Sequence, residues 1–203
     1  MSARGKFSIL LVMLGALLAI LPLRATRSLS GQPRKLLSEA IADSMACTVD
    51  QVARFIADEE PMLRLIDLRS PVEYMKSALP GSVNVPYREM LDRDPSTYLG
   101  SGRFINIFYS NGDMISGYAV VLANGLGYKN CYSMKGGINE WFRIVMNSRF
   151  TGEKITAREN AIFEARTKAG KLFTELNSLP DSLRIKYLNS RKFNAKKLDG
   201  GCE

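Results

Sequence analysis

With 203 residues, 46% hydrophobic and 24% charged, the chain suits one globular domain with extensions and is too apolar for disorder. Its formal charge of +8 is weighted late, because residues 149–203 hold twelve Lys or Arg against seven Asp or Glu; this suits either an anionic partner or a plain solvated basic helix face. Histidine is absent and the three cysteines have no motif spacing, which excludes Ser-His and Cys-His catalysis, a disulfide framework and the usual zinc sites.

No cofactor and no metal is therefore expected. With no base-stacking motif and no basic-aromatic ladder, nucleic acid is not expected as a partner either.

A short basic amino terminus, residues 1–6, precedes an uncharged apolar run over residues 7–23. At seventeen residues this run lies between a signal-peptide core and a spanning helix of about 20 residues. Leu23-Arg-Ala25 is a poor cleavage signal and Ser28-Leu-Ser30 a tolerable one, so an uncleaved anchor is favoured over a cleaved signal. Arg24, Arg27, Arg34 and Lys35 outnumber Arg4 and Lys6, so flanking charge does not set the orientation. Amino-terminal segments of this shape direct export, which places the expected domain outside the cytoplasm, periplasmic in a bacterium, with the cytoplasmic face left open.

Residues 24–44 read as a linker, with a helical turn or two over Lys35–Ala42. A short strand follows at Met45–Cys47. Thr48-Val-Asp-Gln51 is a capping box opening a helix whose buried face is Val52, Phe55 and Ile56. Met62–Asp67 reads as a central strand, and Ser70-Pro-Val-Glu73 sets a cap, a first-turn proline and an N3 glutamate in register for the next helix. After the Leu79-Pro-Gly81 turn comes a strand at Ser82–Val85, ended by Pro86.

Phe104–Tyr109 is an apolar run ending in the polar turn Ser110-Asn-Gly-Asp-Met-Ile-Ser116, with an alanine- and valine-rich helix to Gly125. A loop that leaves the carboxyl end of a buried parallel strand and feeds a helix amino terminus is where ligands bind and nucleophiles sit. Ser110 heads that loop. A strand at Asn130–Met134 follows, and Gly136-Gly137 opens a helix whose Trp141 reads as a core plug. Strands alternating with helices over short connections imply a parallel sheet covered on both faces.

Beyond residue 148 the spacing predicts a six-turn helix from the capping box Thr156-Ala-Arg-Glu159, with Ile162, Ala165, Ala169, Leu172, Phe173 and Leu176 on one stripe. Pro180 ends it. A shorter helix from Asp181 bears Leu183, Tyr187 and Leu188, and residues 191–203 read as a flexible basic tail. The apolar stripe packs either on its own domain or against a protein partner.

Three segments together resemble the successive signatures of a rhodanese homology domain: Leu65-Ile-Asp-Leu-Arg69-Ser-Pro-Val-Glu-Tyr74, Leu79-Pro-Gly-Ser-Val-Asn-Val-Pro86 and Lys135-Gly-Gly-Ile-Asn-Glu-Trp141. The match spans about residues 45–147. It implies a three-layer α/β fold, a five-stranded parallel sheet flanked by helices, with a site cradled by the loop after the fourth strand. In active members that loop opens on a cysteine that carries sulfane sulfur, and it often holds an arginine. On the resemblance, the cysteine position falls on Ser110, the arginine on Ile115 and the last small residue on Ser116; Ala78 stands where a histidine is common.

The expected site is therefore a degenerate loop of Ser110, Asn111, Gly112, Asp113, Met114, Ile115 and Ser116 with no catalytic residue. Asp67, Arg69, Ser110 and Ser116 are its candidate ligand contacts. Amide donors at a helix amino terminus can pull a thiol pKa from ~8.5 to as low as ~3.5, but an aliphatic hydroxyl without a base stays protonated. Related phosphatases clamp phosphate with the arginine of this loop. Ile115 removes that clamp, and the Asp113 carboxylate repels an oxyanion.

Of the other thiols, Cys131 falls at the start of the fifth strand, on the wrong edge of the sheet. Cys47, placed at the beginning of the first strand, reads as core. Cys202, in a glycine-containing end beside Lys196 and Lys197, is the candidate reactive thiol. The expectation is a membrane-anchored, catalytically inactive rhodanese-like module for binding or scaffolding, with a sulfurtransferase using Cys202 or a partner thiol as the alternative.

Overall fold

The structure, a computed structural model, describes Met13 and residues 45–100, 102–149 and 156–198, with backbone alone over residues 191–198. Apart from Met13, the apolar run 7–23 and the linker lie outside the described residues, as do Cys202 and the end of the tail. Among the described residues no helix is long and apolar enough to cross a membrane.

Five short strands are buried on both faces. They are β1 (Ala46–Cys47), β2 (Leu63–Asp67), β3 (Ser82–Asn84), β4 (Ile105–Tyr109) and β5 (Cys131–Met134). Their order is β1-β5-β4-β2-β3, and every pairing is parallel. Leu65 stands beside Ile107 and Ile107 beside Tyr132. Because successive strand side chains point to opposite faces, Leu65, Ile107 and Tyr109 enter one core, and Ile66 and Phe108 enter the other. The carboxyl ends of all five strands thus open on one edge.

The connections obey the expected caps. Helix α1 (Val49–Ala57) starts on the Thr48–Gln51 capping box, and α2 (Pro71–Lys76) on Ser70 with Pro71 in its first turn and Glu73 reaching back. The chain from Tyr87 to Thr97 makes two 3-10 turns, Tyr87–Glu89 and Pro95–Thr97, where no periodicity announces structure. They seat Met90, Tyr98 and Leu99 in the second core. Helix α3 (Asp113–Gly125) follows β4, and α4 (Gly137–Trp141) follows β5 and loosens into a π turn over Phe142–Met146. Trp141 is fully buried in the first core.

Helix α5 (Ala157–Asn177), opened by its Thr156–Glu159 capping box, packs on the domain. Ala169 and Phe173 join Trp141 in the first core, where the Trp141 and Phe173 ring centroids lie 6.0 Å apart. Arg166 holds Asp50 of α1 through two hydrogen bonds of 2.6 and 2.8 Å. Leu176 meets Tyr74, Ala78 and Leu188 in a third cluster that ties α5 to α2 and to α6 (Asp181–Leu198).

Two details differ from expectation. α6 is not short: its backbone stays helical to Leu198, through part of the stretch expected as a flexible tail, because residues 191–198 hold Ala, Leu, Lys and Arg and no Gly or Pro. Cys47 closes β1 rather than beginning it, since the ladder with β5 spans only Ala46–Ser133 and Cys47–Met134.

Candidate functional site

The loop after β4 sits at the carboxyl edge of the sheet and is gripped from two sides. From below, the backbone carbonyl of Ser110 accepts a 2.8 Å hydrogen bond from the Ile138 N–H, and that of Asn111 a 3.4 Å bond from Asn139. This contact exists because residue 137 is glycine. Gly137 has φ +58°, and a Cβ there would stand 2.4 Å from the Ser110 carbonyl oxygen and 2.7 Å from the Gly112 nitrogen. Only a residue without a side chain lets the two backbones touch. Gly136, also in the left-handed region at φ +72°, donates its N–H to the Asp113 carboxylate. The carboxylate expected to repel anions is therefore engaged with the neighbouring loop.

From the other side, Asn111 Nδ2 donates to Glu73 Oε1 at 2.8 Å. Glu73 already caps α2 through its other oxygen, which accepts from the Ser70 hydroxyl at 2.6 Å and from the Ser70 N–H at 3.1 Å. Hydrogen bonds from the Ser70 hydroxyl, then Asn111, then the Ser70 amide hold its carboxyl down at about 2. Sequence spacing identifies the cap; it holds no signal for the second bond, which joins residues 38 positions apart.

Within the loop the side chains divide sharply. Ser110 is 4% exposed and Ser116 is fully buried, and the Ser116 hydroxyl donates to the Asp113 carbonyl at 2.9 Å and the Gly112 carbonyl at 3.3 Å. Met114 and Ile115 face out, 70% and 40% exposed. Gly112 is the amino-terminal cap of α3 and offers no side-chain hydrogen bond. The first-turn N–H groups of a helix have no intrahelical acceptor, so backbone amides at the start of α3 join the exposed Asn111 and Asp113 side chains as the polar groups this loop can present.

Asp67 ends β2 beside Tyr109, the residue before the loop, and Arg69 follows it. Both are buried, and they face each other. Arg69 Nη2 meets Asp67 Oδ2 at 2.6 Å, Arg69 Nε lies 3.1 Å from Oδ1, and the Arg69 backbone N–H reaches Oδ1 at 2.8 Å. Nη2 also donates to the Ser77 carbonyl at 2.5 Å, and the guanidinium carbon sits 5.7 Å above the Tyr109 ring. A buried charge needs such a partner and such hydrogen bonds to be tolerated. Ala78, two residues before Pro80, is clamped by Asn177 of α5, whose amide accepts from its N–H at 2.8 Å and donates to its carbonyl at 2.9 Å. Asn177 of the carboxyl-terminal extension thus holds the turn that precedes β3, which no motif announces.

Cys47 and Cys131 are both buried. Burial raises the Cys47 thiol to about 11 and the Cys131 thiol to about 12. Cys47 ends its strand on the same edge as the loop, but its side chain belongs to the first core; Cys131 starts β5, at the opposite edge. Among the described residues no group of His, Cys, Asp or Glu side chains could hold a metal ion.

Comparison with known proteins gives the same picture at the level of the domain. A model of the rhodanese-like domain matches residues 48–143. A thiosulfate:glutathione sulfurtransferase of Saccharomyces cerevisiae is 27% identical over 114 residues, covering 51% of this chain and 82% of the yeast protein. Among solved structures, a human single-domain sulfurtransferase aligns with TM-score 0.43 and 22% identity over 49% of this chain and 96% of that one. A rhodanese-like domain from Anabaena sp. aligns with TM-score 0.44 and 21% identity over 55% and 89%.

Proposed function

Starting from a rhodanese-like domain over residues 48–143, we propose that this chain is a non-catalytic binding or scaffolding module, held at a membrane by residues 7–23. One observation carries the reading: the residue that heads the β4–α3 loop, in the position assigned to the family's sulfur-carrying cysteine, is Ser110. The strand, loop and helix that would frame such a site are present around it. A cradle of amides stabilises a thiolate, whereas a serine hydroxyl needs a general base, and the chain has no histidine. Oxygen also forms no stable counterpart of a persulfide. Ile115 points outward where an arginine would serve an oxyanion, and a ligand of this loop would meet backbone amides beside the apolar Met114 and Ile115.

The second reading, a sulfurtransferase working through Cys202 or a partner's thiol, is favoured by the yeast relative, whose own name is thiosulfate:glutathione sulfurtransferase. One assay separates the two. The full chain is incubated with thiosulfate and cyanide, and thiocyanate is measured. No turnover above background is expected. Turnover abolished by Cys202→Ser would establish the second reading, and turnover abolished by Ser110→Ala would overturn the chemical argument itself. Ser110→Cys alone is expected to restore little transfer, because Ile115 leaves the loop without the cation that an arginine would bring to an anionic donor; strong rescue would show that the loop is a working sulfur site lacking only its thiol.

A further inference from the structure

Apart from the β4–α3 loop, the first turn of α6 and the outer side of α2 flank an open cleft of about 460 Å³, lined by Pro71, Val72, Met75, Lys76, Asp181 and Arg184. The cleft is shallow and largely open to solvent. Its floor is apolar and its polar groups are unevenly matched.

Arg184 is only 9% exposed. Nη1 donates to the Asn177 carbonyl at 3.0 Å, ending α5, and Nη2 donates to Asp181 Oδ1 at 2.5 Å. Its Nε–H is buried and has no acceptor among the described residues. An N–H closed off from water without an acceptor is costly, by about 1–3 kcal/mol for a typical group and more for a charged one, so the position has a strong demand for an oxygen. Lys76, across the cleft, has no ion pair among the described residues. Val72 is 67% exposed beside it. The Asp181 carboxylate, the cleft's own anion, has a side chain 82% exposed and can swing out when a second carboxylate arrives.

We propose that this cleft binds a small amphiphilic carboxylate. Its apolar body lies on Pro71, Val72 and Met75, and its carboxylate takes the place of Asp181, accepting from the Arg184 Nε–H and from Lys76. The exchange is one carboxylate for another, so the buried guanidinium keeps a counter-charge and gains the missing acceptor. This site is independent of the reading given to Ser110.

Hexanoate is the probe, with hexanol carrying the apolar body alone and acetate the carboxylate alone. The full chain, in non-ionic detergent and labelled with ¹⁵N, is titrated while the Arg184 Nε–H resonance and the amides of residues 72–76 and 181–184 are followed by NMR. Saturable shifts at these positions with hexanoate are expected, with acetate at least tenfold weaker and hexanol leaving Nε–H unmoved. Lys76→Gln is expected to weaken hexanoate about tenfold, the scale of one charge-assisted hydrogen bond. Asp181→Asn is expected to strengthen it, because the competitor is removed. Equal shifts with hexanol, or an affinity indifferent to both substitutions, would overturn the proposal, as would absence of shifts in a chain whose spectrum shows it folded.

Discussion

At the scale of single residues, the site is governed by hydrogen-bond ownership. Glu73 is the clearest case, a surface carboxylate that holds both a helix cap and Asn111 of the loop. Its folded pKa of about 2 lies below the ordinary value, so the stabilisation it contributes is complete above about pH 5 and is lost as the pH falls through about 4 towards 2. An NMR titration of the Glu73 carboxyl is expected to give a midpoint near 2, displaced upward in Ser70→Ala and in Asn111→Ala. A midpoint unmoved by Asn111→Ala would remove the link between α2 and the loop. Thiol chemistry gives a second check. With Cys47 and Cys131 buried and their pKa values raised to about 11 and about 12, a thiol reagent at pH 8 is expected to label one thiol per native chain, none in Cys202→Ser and all three in urea.

Elements matter through their junctions. The capping boxes before α1, α2 and α5 were legible as Thr48–Gln51, Ser70–Glu73 and Thr156–Glu159 because each is a local exchange within four residues. The junction of the β5–α4 turn with the site loop was not legible, since Gly136-Gly137 reads as an ordinary helix opening until Ser110 is placed against it. Gly137→Ala would need a left-handed alanine and a shift of the Ser110 carbonyl. We expect it to destabilise the fold by at least ~2 kcal/mol on strain and overpacking together, read from the urea midpoint, and to shift the amide resonances of residues 110–113. Gly102→Ala, with open space around its Cβ, serves as the control and should move neither.

On the scale of the whole molecule, the carboxyl-terminal extension is part of the core. α5 covers α1 and the Trp141 plug, and Asn177 clamps Ala78 in the turn before β3. Phe173→Ala removes a side chain only 4% exposed and is expected to cost about 3–5 kcal/mol. Arg166→Ala opens a partly exposed ion pair and is expected to cost about 1 kcal/mol or less. A chain ending at residue 149 would expose the first core along α1 and Trp141; circular dichroism and one-dimensional NMR are expected to show loss of cooperative unfolding and of dispersed signals. A well-dispersed spectrum from that truncated chain would show α5 to be an accessory.

Strand and helix identity, the parallel sheet and the place of the Ser110 loop were set by the sequence alone, because hydrophobic period, caps and turn residues act over a few positions and every β-α connection here is short. Tertiary structure alone decided what those residues do once assembled. It turned Asp113 from a repelling charge into the acceptor of the Gly136 amide and closed Asp67 on Arg69. It placed Cys47 at the site's own edge of the sheet and brought α6 beside α2 to make the Arg184 cleft. Each of these depends on partners distant in the chain or on which of several available acceptors a polar group takes, and neither is written in local spacing.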